Sequence, residues 1–281
     1  MYNILNKNIL NSQVTLLEIK APLIAKKAKP GQFIILRVDE NGERIPLTIA
    51  NFDRDKGTIT IIFQTVGKTT LALSMLEIGD ALLDLVGPLG VPTHLDGIKK
   101  AAVIGGGLGT AIAYPITKKL FEMGAEVHTI VGFRNKDLII LQDEMQAIST
   151  NLYVTTDDGS NGNQGFVTNV LKDLIEGGHE FDTVFAIGPL VMMKAVSALT
   201  KQFDVKTIVS MNTIMIDGTG MCGGCRLTVG GETKFTCVDG PDFDGHLVDF
   251  DQAIARQRMF KAHEKTANDQ HICRLGGNDN A

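Results

Sequence analysis

Between Lys99 and Val205 the chain repeats one pattern: a short aliphatic run, a turn, a helical stretch, then another aliphatic run. KKAAVIGGGLGTAIAYPITKKLFEMGAEVHTIVGFRN reads as strand, glycine turn, helix, Gly124 and second strand. NLYVTTDDG, GFVTNVLKDLIEGG, FDTVFAIGP and LVMMKAVSALTKQF continue the alternation. Strands separated by helices pair through crossovers, so the expected product is a parallel sheet flanked by helices, over residues 98–205.

Within that unit Gly105-Gly106-Gly107-Leu108-Gly109-Thr110 follows the apolar strand Ala101–Ile104 and opens a helix. Free N–H groups and the helix dipole converge at such a turn, which suits it to a phosphate; a plain strand-to-helix turn is the plainer alternative. The loop departs from the dinucleotide fingerprint, since Thr110 stands where a last glycine would fall. The second strand runs out through Val131-Gly132-Phe133-Arg134 instead of into a ribose-binding acid. Pro115 should bend the helix or mark a tight contact. A further strand ends at Gly188-Pro189, with Met192 and Met193 following, where a dinucleotide crevice would lie.

Residues 1–97 have another texture. QVTLLEIKAP, GQFIILRV, GTITIIFQTV and ALLDLVGPLG are strand-like, and the turn formers around Gly31, Gly42, Gly57 and Gly79 separate them. Several short strands so spaced predict a small antiparallel barrel, with a short helix over residues 72–77. With 281 residues, 44% of them hydrophobic and 21% charged, the chain can bury two such cores. No apolar run approaches the roughly 18 residues of a membrane span, and the N-terminus does not read as a signal peptide, so a cytoplasmic protein is expected. A net charge of −5 argues against nucleic acid and anionic membranes as partners.

Residues 206–265 hold a cysteine cluster, and 266–281 read as a flexible polar tail. The spacing Asp217-x4-Cys222-x2-Cys225-x11-Cys237 follows the plant-type [2Fe–2S] order C-x4-C-x2-C…C, with an aspartate in the first position. Structural zinc is the competing reading, although zinc sites commonly pair a C-x2-C knuckle with a second knuckle or a histidine pair, and neither is present. Asp217-Gly218 is also an ordinary turn pair, and Cys273 is the rival fourth ligand; spacing favours the carboxylate. The basic run Arg256, Arg258, Lys261 and Lys265 could dock a partner or simply face solvent.

Taken in order, these pieces resemble the ferredoxin–NADP reductase superfamily, and within it the electron-transfer subunits that append a [2Fe–2S] segment to the nucleotide domain. Arg44-Ile45-Pro46-Leu47-Thr48 is similar to the family's flavin motif, and Gly67-Lys68-Thr69-Thr70 to its FAD pyrophosphate segment. Gly87-Pro88-Leu89-Gly90 matches its turn between domains. Gly105 to Thr110, including Gly107 and Gly109, together with Asp157-Asp158-Gly159 and Gly188-Pro189-Leu190-Val191-Met192, match its pyridine-nucleotide motifs. The resemblance implies FAD on the barrel, NAD(H) in the α/β domain and a [2Fe–2S] cluster on Asp217, Cys222, Cys225 and Cys237. It also implies a larger partner subunit with its own flavin and [4Fe–4S] centres, with ferredoxin served through it, and no acid–base side chain. Two branches fit: electron-transfer subunits of dihydroorotate dehydrogenase, with four cysteine ligands, and small subunits of NADH-dependent ferredoxin:NADP oxidoreductase, with relatives among sulfide dehydrogenases. The latter use one aspartate and three cysteines, so Asp217 points to them, as does the extension from Gln257 to Glu264.

Overall fold

The computed structural model describes residues 2–276, with side chains as far as Asp269. The N-terminal part is a seven-stranded antiparallel sheet of β1 (Tyr2–Asn11), β2 (Val14–Lys20), β3 (Phe33–Arg37), β4 (Ile45–Asp53), β5 (Thr58–Gln64), β6 (Ala81–Leu82) and β7 (Asp84–Leu89). Their order is β6-β1-β2-β5-β4-β3-β7. Only Leu83 separates β6 from β7, yet they form opposite edges of the sheet. The two edges must therefore come together, and the sheet curls into a nearly closed barrel. Leu17, Ile19, Ile34, Leu36, Ile59, Ile61 and Phe63 fill it and are fully buried.

Two helices interrupt the barrel, α1 (Pro22–Lys27) and α2 (Lys68–Ser74). The short helix expected over residues 72–77 thus begins four residues earlier. Gly67 is extended at its N-cap, and the Thr70 hydroxyl accepts the N–H groups of Val66 (3.0 Å) and Gly67 (3.1 Å), which fixes the start. Strand β1 escaped the pattern search because much of it faces outward and its sequence, YNILNKNILN, is rich in asparagine.

The second sheet contains β8 (Lys100–Gly106), β9 (Glu126–Phe133), β10 (Asn151–Thr156), β11 (Thr183–Ile187) and β12 (Thr207–Ser210), all parallel, in the order β10-β9-β8-β11-β12. Its helices are α3 (Gly109–Glu122), α4 (Gln142–Ala147), α5 (Val167–Glu176) and α6 (Leu190–Gln202). Alternate residues of β8 and β11 enter opposite layers: Ala101, Val103, Phe185 and Ile187 pack with α3, while Ala102, Ile104, Val184 and Ala186 pack with α5 and α6. Both faces are thus covered, and the strands read as continuous apolar runs. Pro115 lies buried inside α3. Helix α3 also meets the barrel, where Lys118 Nζ donates to Asn51 Oδ1 (3.2 Å) on β4.

The parallel sheet continues past its expected end near Val205, because β12 takes the next position on β11. The remaining elements are the hairpin β13 (Arg226–Val229) and β14 (Glu232–Phe235), the turn of helix α7 (Thr236–Asp239), β15 (Asp242–Asp244), α8 (Phe250–Gln257) and α9 (Lys261–Gly276). Strand β15 pairs antiparallel with β12 and forms the sixth strand of the sheet. Helix α9 continues to Gly276 through most of the tail expected from residue 266; its opening Lys-Ala-His-Glu-Lys favours helix, and 277–281 lie outside the described residues. No helix among the described residues is long and apolar enough to cross a membrane.

Candidate functional site

The carboxyl ends of the parallel strands open into a cleft of about 820 Å³. Its floor comes from the turns that follow β8, β9 and β11, and its outer rim from Asn11, Gln13 and Gln64 of the barrel. Of the residues expected to bind nucleotide, Gly107, Gly109, Asp157, Gly188, Pro189 and Met192 all line it. The N-terminal ends of α3 and α6 both lie at this cleft, so two helix dipoles favour an anion there. A side chain at Gly109 would place Cβ 2.2 Å from the Ile187 carbonyl oxygen, so only glycine lets α3 start this close to β11. Met192 lies across Gly106, with its sulfur 2.5 Å from where a Cβ would project.

Gly105 and Thr110 lie behind the cleft and pack on one another: a Cβ on Gly105 would sit 2.8 Å from Thr110 Cα, and Thr110 is fully buried. Arg134 lines the cleft just beyond β9, where many dinucleotide sites carry an acid. The sequence reading missed Asn11, Gln13, Gln64, Phe166, Asn212 and Gln257, which scatter over the chain and meet only in three dimensions.

The flavin-type motif lies on β4, where Pro46 pairs with Ile35, Leu47 with Ile34 and Thr48 with Phe33, all on β3. Arg44 stands just before β4 and pairs with Asp84 at 2.9 Å. Gly67 and Thr69 begin α2, and the Thr70 hydroxyl is committed to the helix cap.

The cysteine segment packs directly on the next strand. Phe33 and Ile35 of β3 enclose Met215, Cys225 and Cys237, with Leu89 and Phe235 at the margin. Gly218 has φ +74, and a Cβ on it would lie 2.7 Å from Ile35 Cγ1, so the loop needs glycine there for both conformation and space. Asp217 Oδ1 accepts the Thr219 N–H and Oδ2 the Cys222 N–H, each at 2.7 Å. These bonds, chiefly the one from Thr219, hold its carboxyl below the usual range and keep it anionic.

Cys225 and Cys237 are buried with their sulfurs 3.2 Å apart, much longer than a disulfide. Burial, then the hydrogen bond to Cys225, pushes the Cys237 thiol up to about 12. Cys222 is exposed and accepts the Gly224 N–H at 3.4 Å. Soft donors crowded in an apolar wall, with an anionic carboxylate on the same loop, suit a thiophilic metal centre that displaces the thiol protons. Geometry alone leaves zinc and iron–sulfur both open. The side chain of Cys273, the rival ligand, lies outside the described residues.

At the opposite end of the sheet Glu126, His128 and His179 bring ligand-type atoms within 4.8 Å of one another. Lys100 Nζ already lies 3.3 Å from Glu126 Oε2, and His128 Nε2 is 3.0 Å from Oε1, so both carboxylate oxygens are already engaged.

Comparisons with known proteins identify the metal centre. Residues 212–249 match the model of the iron–sulfur cluster binding domain of dihydroorotate dehydrogenase B, and 103–198 match the oxidoreductase NAD-binding domain. A Thermotoga maritima homologue of the electron-transfer subunit of dihydroorotate dehydrogenase B (NAD(+)) is 44% identical over 92% of this chain and 91% of its own. The chain belongs to that electron-transfer subunit family. A Clostridium beijerinckii protein from the 3′ region of adh is 51% identical over 95% of this chain and 93% of its own. Among solved structures, a chain of NADH-dependent reduced ferredoxin–NADP oxidoreductase, studied for flavin-based electron bifurcation, superposes with a TM-score of 0.91 at 42% identity. The match covers 97% of this chain and 98% of that one. The family assignment decides for iron–sulfur over zinc in the cysteine segment and for a pyridine nucleotide in the cleft.

Proposed function

We propose that this chain is the NAD(H)-reactive electron-transfer subunit of a flavin and iron–sulfur oxidoreductase, connecting a pyridine nucleotide to a larger partner subunit. When bound, FAD exchanges electron pairs with the nicotinamide and single electrons with the [2Fe–2S] cluster. Gly107, Gly109, Gly188 and Pro189 present backbone and helix ends to the dinucleotide phosphates, Met192 covers the floor beside Gly106, and Asp157 borders the ribose side. Gly105 and Thr110 seat α3 against β8 and so aim its first turn.

Arg44, Pro46, Leu47 and Thr48 offer the flavin a strand edge and a cation. Gly67, Thr69 and Thr70 supply the second phosphate turn, Thr70 by shaping it through its cap. Asp217, Cys222, Cys225 and Cys237 hold the cluster. The observation that carries the reading is placement: the thiol loop rests on Ile35 of β3, and Ile35 pairs with Pro46 in the flavin motif. The residues that would hold the cluster and those that would hold the flavin thus meet on two adjacent strands of one sheet.

The relative with 42% identity supports a partner that handles ferredoxin and a bifurcating complex, with this chain as its NAD branch in a cytoplasmic heterodimer. Homology to dihydroorotate dehydrogenase B subunits supports a dihydroorotate-oxidising partner as the second reading; a sulfide dehydrogenase is a third, resting on the sequence resemblance alone. Anaerobic purification should yield FAD, iron and labile sulfide, and NADH should bleach the visible spectrum. A loaded protein whose spectrum NADH leaves unchanged would exclude the electron-transfer reading. Identification of the co-purifying large subunit separates the three partners.

A further inference from the structure

The basic run after the cluster does not all face solvent. Arg256, on α8, turns its Nη2 to the Gly224 carbonyl oxygen at 3.1 Å, and Arg226 donates from Nη1 to the Gly223 carbonyl at 3.2 Å. Two guanidiniums thus grip successive carbonyls of the two-glycine link between Cys222 and Cys225. Arg256 is half-buried beside a small cavity of about 20 Å³, walled by Leu190, Ile214, Leu227 and Ala253. Partly desolvating a cation beside another cation is unfavourable unless negative charge lies close by. The anionic ligand set of this loop is the charge that answers it.

We propose that Arg226 and Arg256 are positioning residues that clamp the Cys222–Cys225 loop and raise the reduction potential of the cluster it holds. The inference rests on reading the segment as an iron–sulfur centre. One-electron reduction adds negative charge to a centre already bound by a carboxylate and three thiolates. Fixed positive charge on its loop favours the reduced form more than the oxidised one.

The test is a redox titration of the full-length, flavin-loaded protein, followed by the electron paramagnetic resonance signal of the reduced cluster. Arg256→Met should retain iron and labile sulfide and lower the equilibrium constant for one-electron reduction roughly tenfold, about 59 mV. Arg256→Lys, which keeps the charge, should recover most of that shift. Arg226→Met, at an exposed position, should move the potential the same way by less and serves if Arg256→Met fails to fold. A fully loaded Arg256→Met protein with an unmoved potential overturns the clamp. An equal fall in Arg256→Met and Arg256→Lys with a changed signal shape would mark a purely geometric effect and overturn the claim that their charge raises the potential. Iron-free wild-type protein would instead overturn the assignment of the centre itself.

Discussion

The nucleotide cleft and the cysteine loop are built in opposite ways. The cleft is a by-product of a scaffold: parallel strands end together, their turns line up, and the N-termini of α3, α5 and α6 lie at the resulting space. The loop from Asp217 to Cys225 has no regular structure, leans on barrel strands through Gly218, and brings Cys225 against Cys237, whose thiol burial pushes up to about 12. A site of the first kind is formed before its ligand arrives. One of the second kind draws much of its stability from what it binds.

That contrast can be broken most sharply at Cys237. In Cys237→Ser, iron should fall to background while the dissociation constant for NADH stays within about twofold, since the change is local to the loop. A large loss of nucleotide affinity, measured by titration calorimetry, would show the two sites to be one cooperative unit. The reciprocal change is Gly109→Ala. Its methyl would run into the Ile187 carbonyl and should destabilise the α/β domain by about 3 kcal/mol and weaken NADH binding, yet leave the iron content near wild type. Denaturant unfolding with metal analysis checks both halves.

The third test uses Asp242, at the seam between the two regions. The residue as a whole keeps some surface, but its Oδ1 is sealed without a partner, and burial raises its carboxyl to about 6 against the bond that Oδ2 accepts from the Thr93 hydroxyl. A carboxyl with a raised folded pKa favours the fold in its neutral form. Its contribution is complete below the unfolded value near 4 and is lost as pH rises through 6. Asp242→Asn should therefore match wild type at pH 4 and be more stable by about 1–3 kcal/mol at pH 8. Equal melting temperatures at pH 8 would refute the seam's titration. The smallest change is Asp217→Cys, which should keep a full cluster and alter its absorption and resonance spectra and its potential. Identical spectra for Asp217→Ala and wild type would remove the carboxylate from the ligand set.

The α/β domain was legible because its signals are local: apolar runs, glycine turns and helical periods follow one another without gaps from Ala101 to Gln202. Of the barrel, the buried strands β2, β3 and β5 could be read, whereas β1 could not, because a strand open to solvent along much of its length needs no apolar alternation. The ligand spacing from Asp217 to Cys237 was visible, but its seat on Ile35 was not, since the contact joins positions nearly two hundred residues apart. Nor did the sequence distinguish Arg256 from Arg258 in the same basic run. Only the turn of α8 against the loop separates the cation that reaches Gly224 from its neighbour.

The stretch from Gly240 to Asp244 touches three places at once. Its Gly240 carbonyl takes the N–H of Val91 at the barrel's exit, its Pro241 carbonyl takes that of Met211, and β15 closes the edge of β12. The final quarter of the chain is therefore not a detachable cassette. A protein truncated after Ser210 would lose the brace at Val91 and Thr93 and bare a strand edge, ready to zip onto the same edge of another truncated molecule.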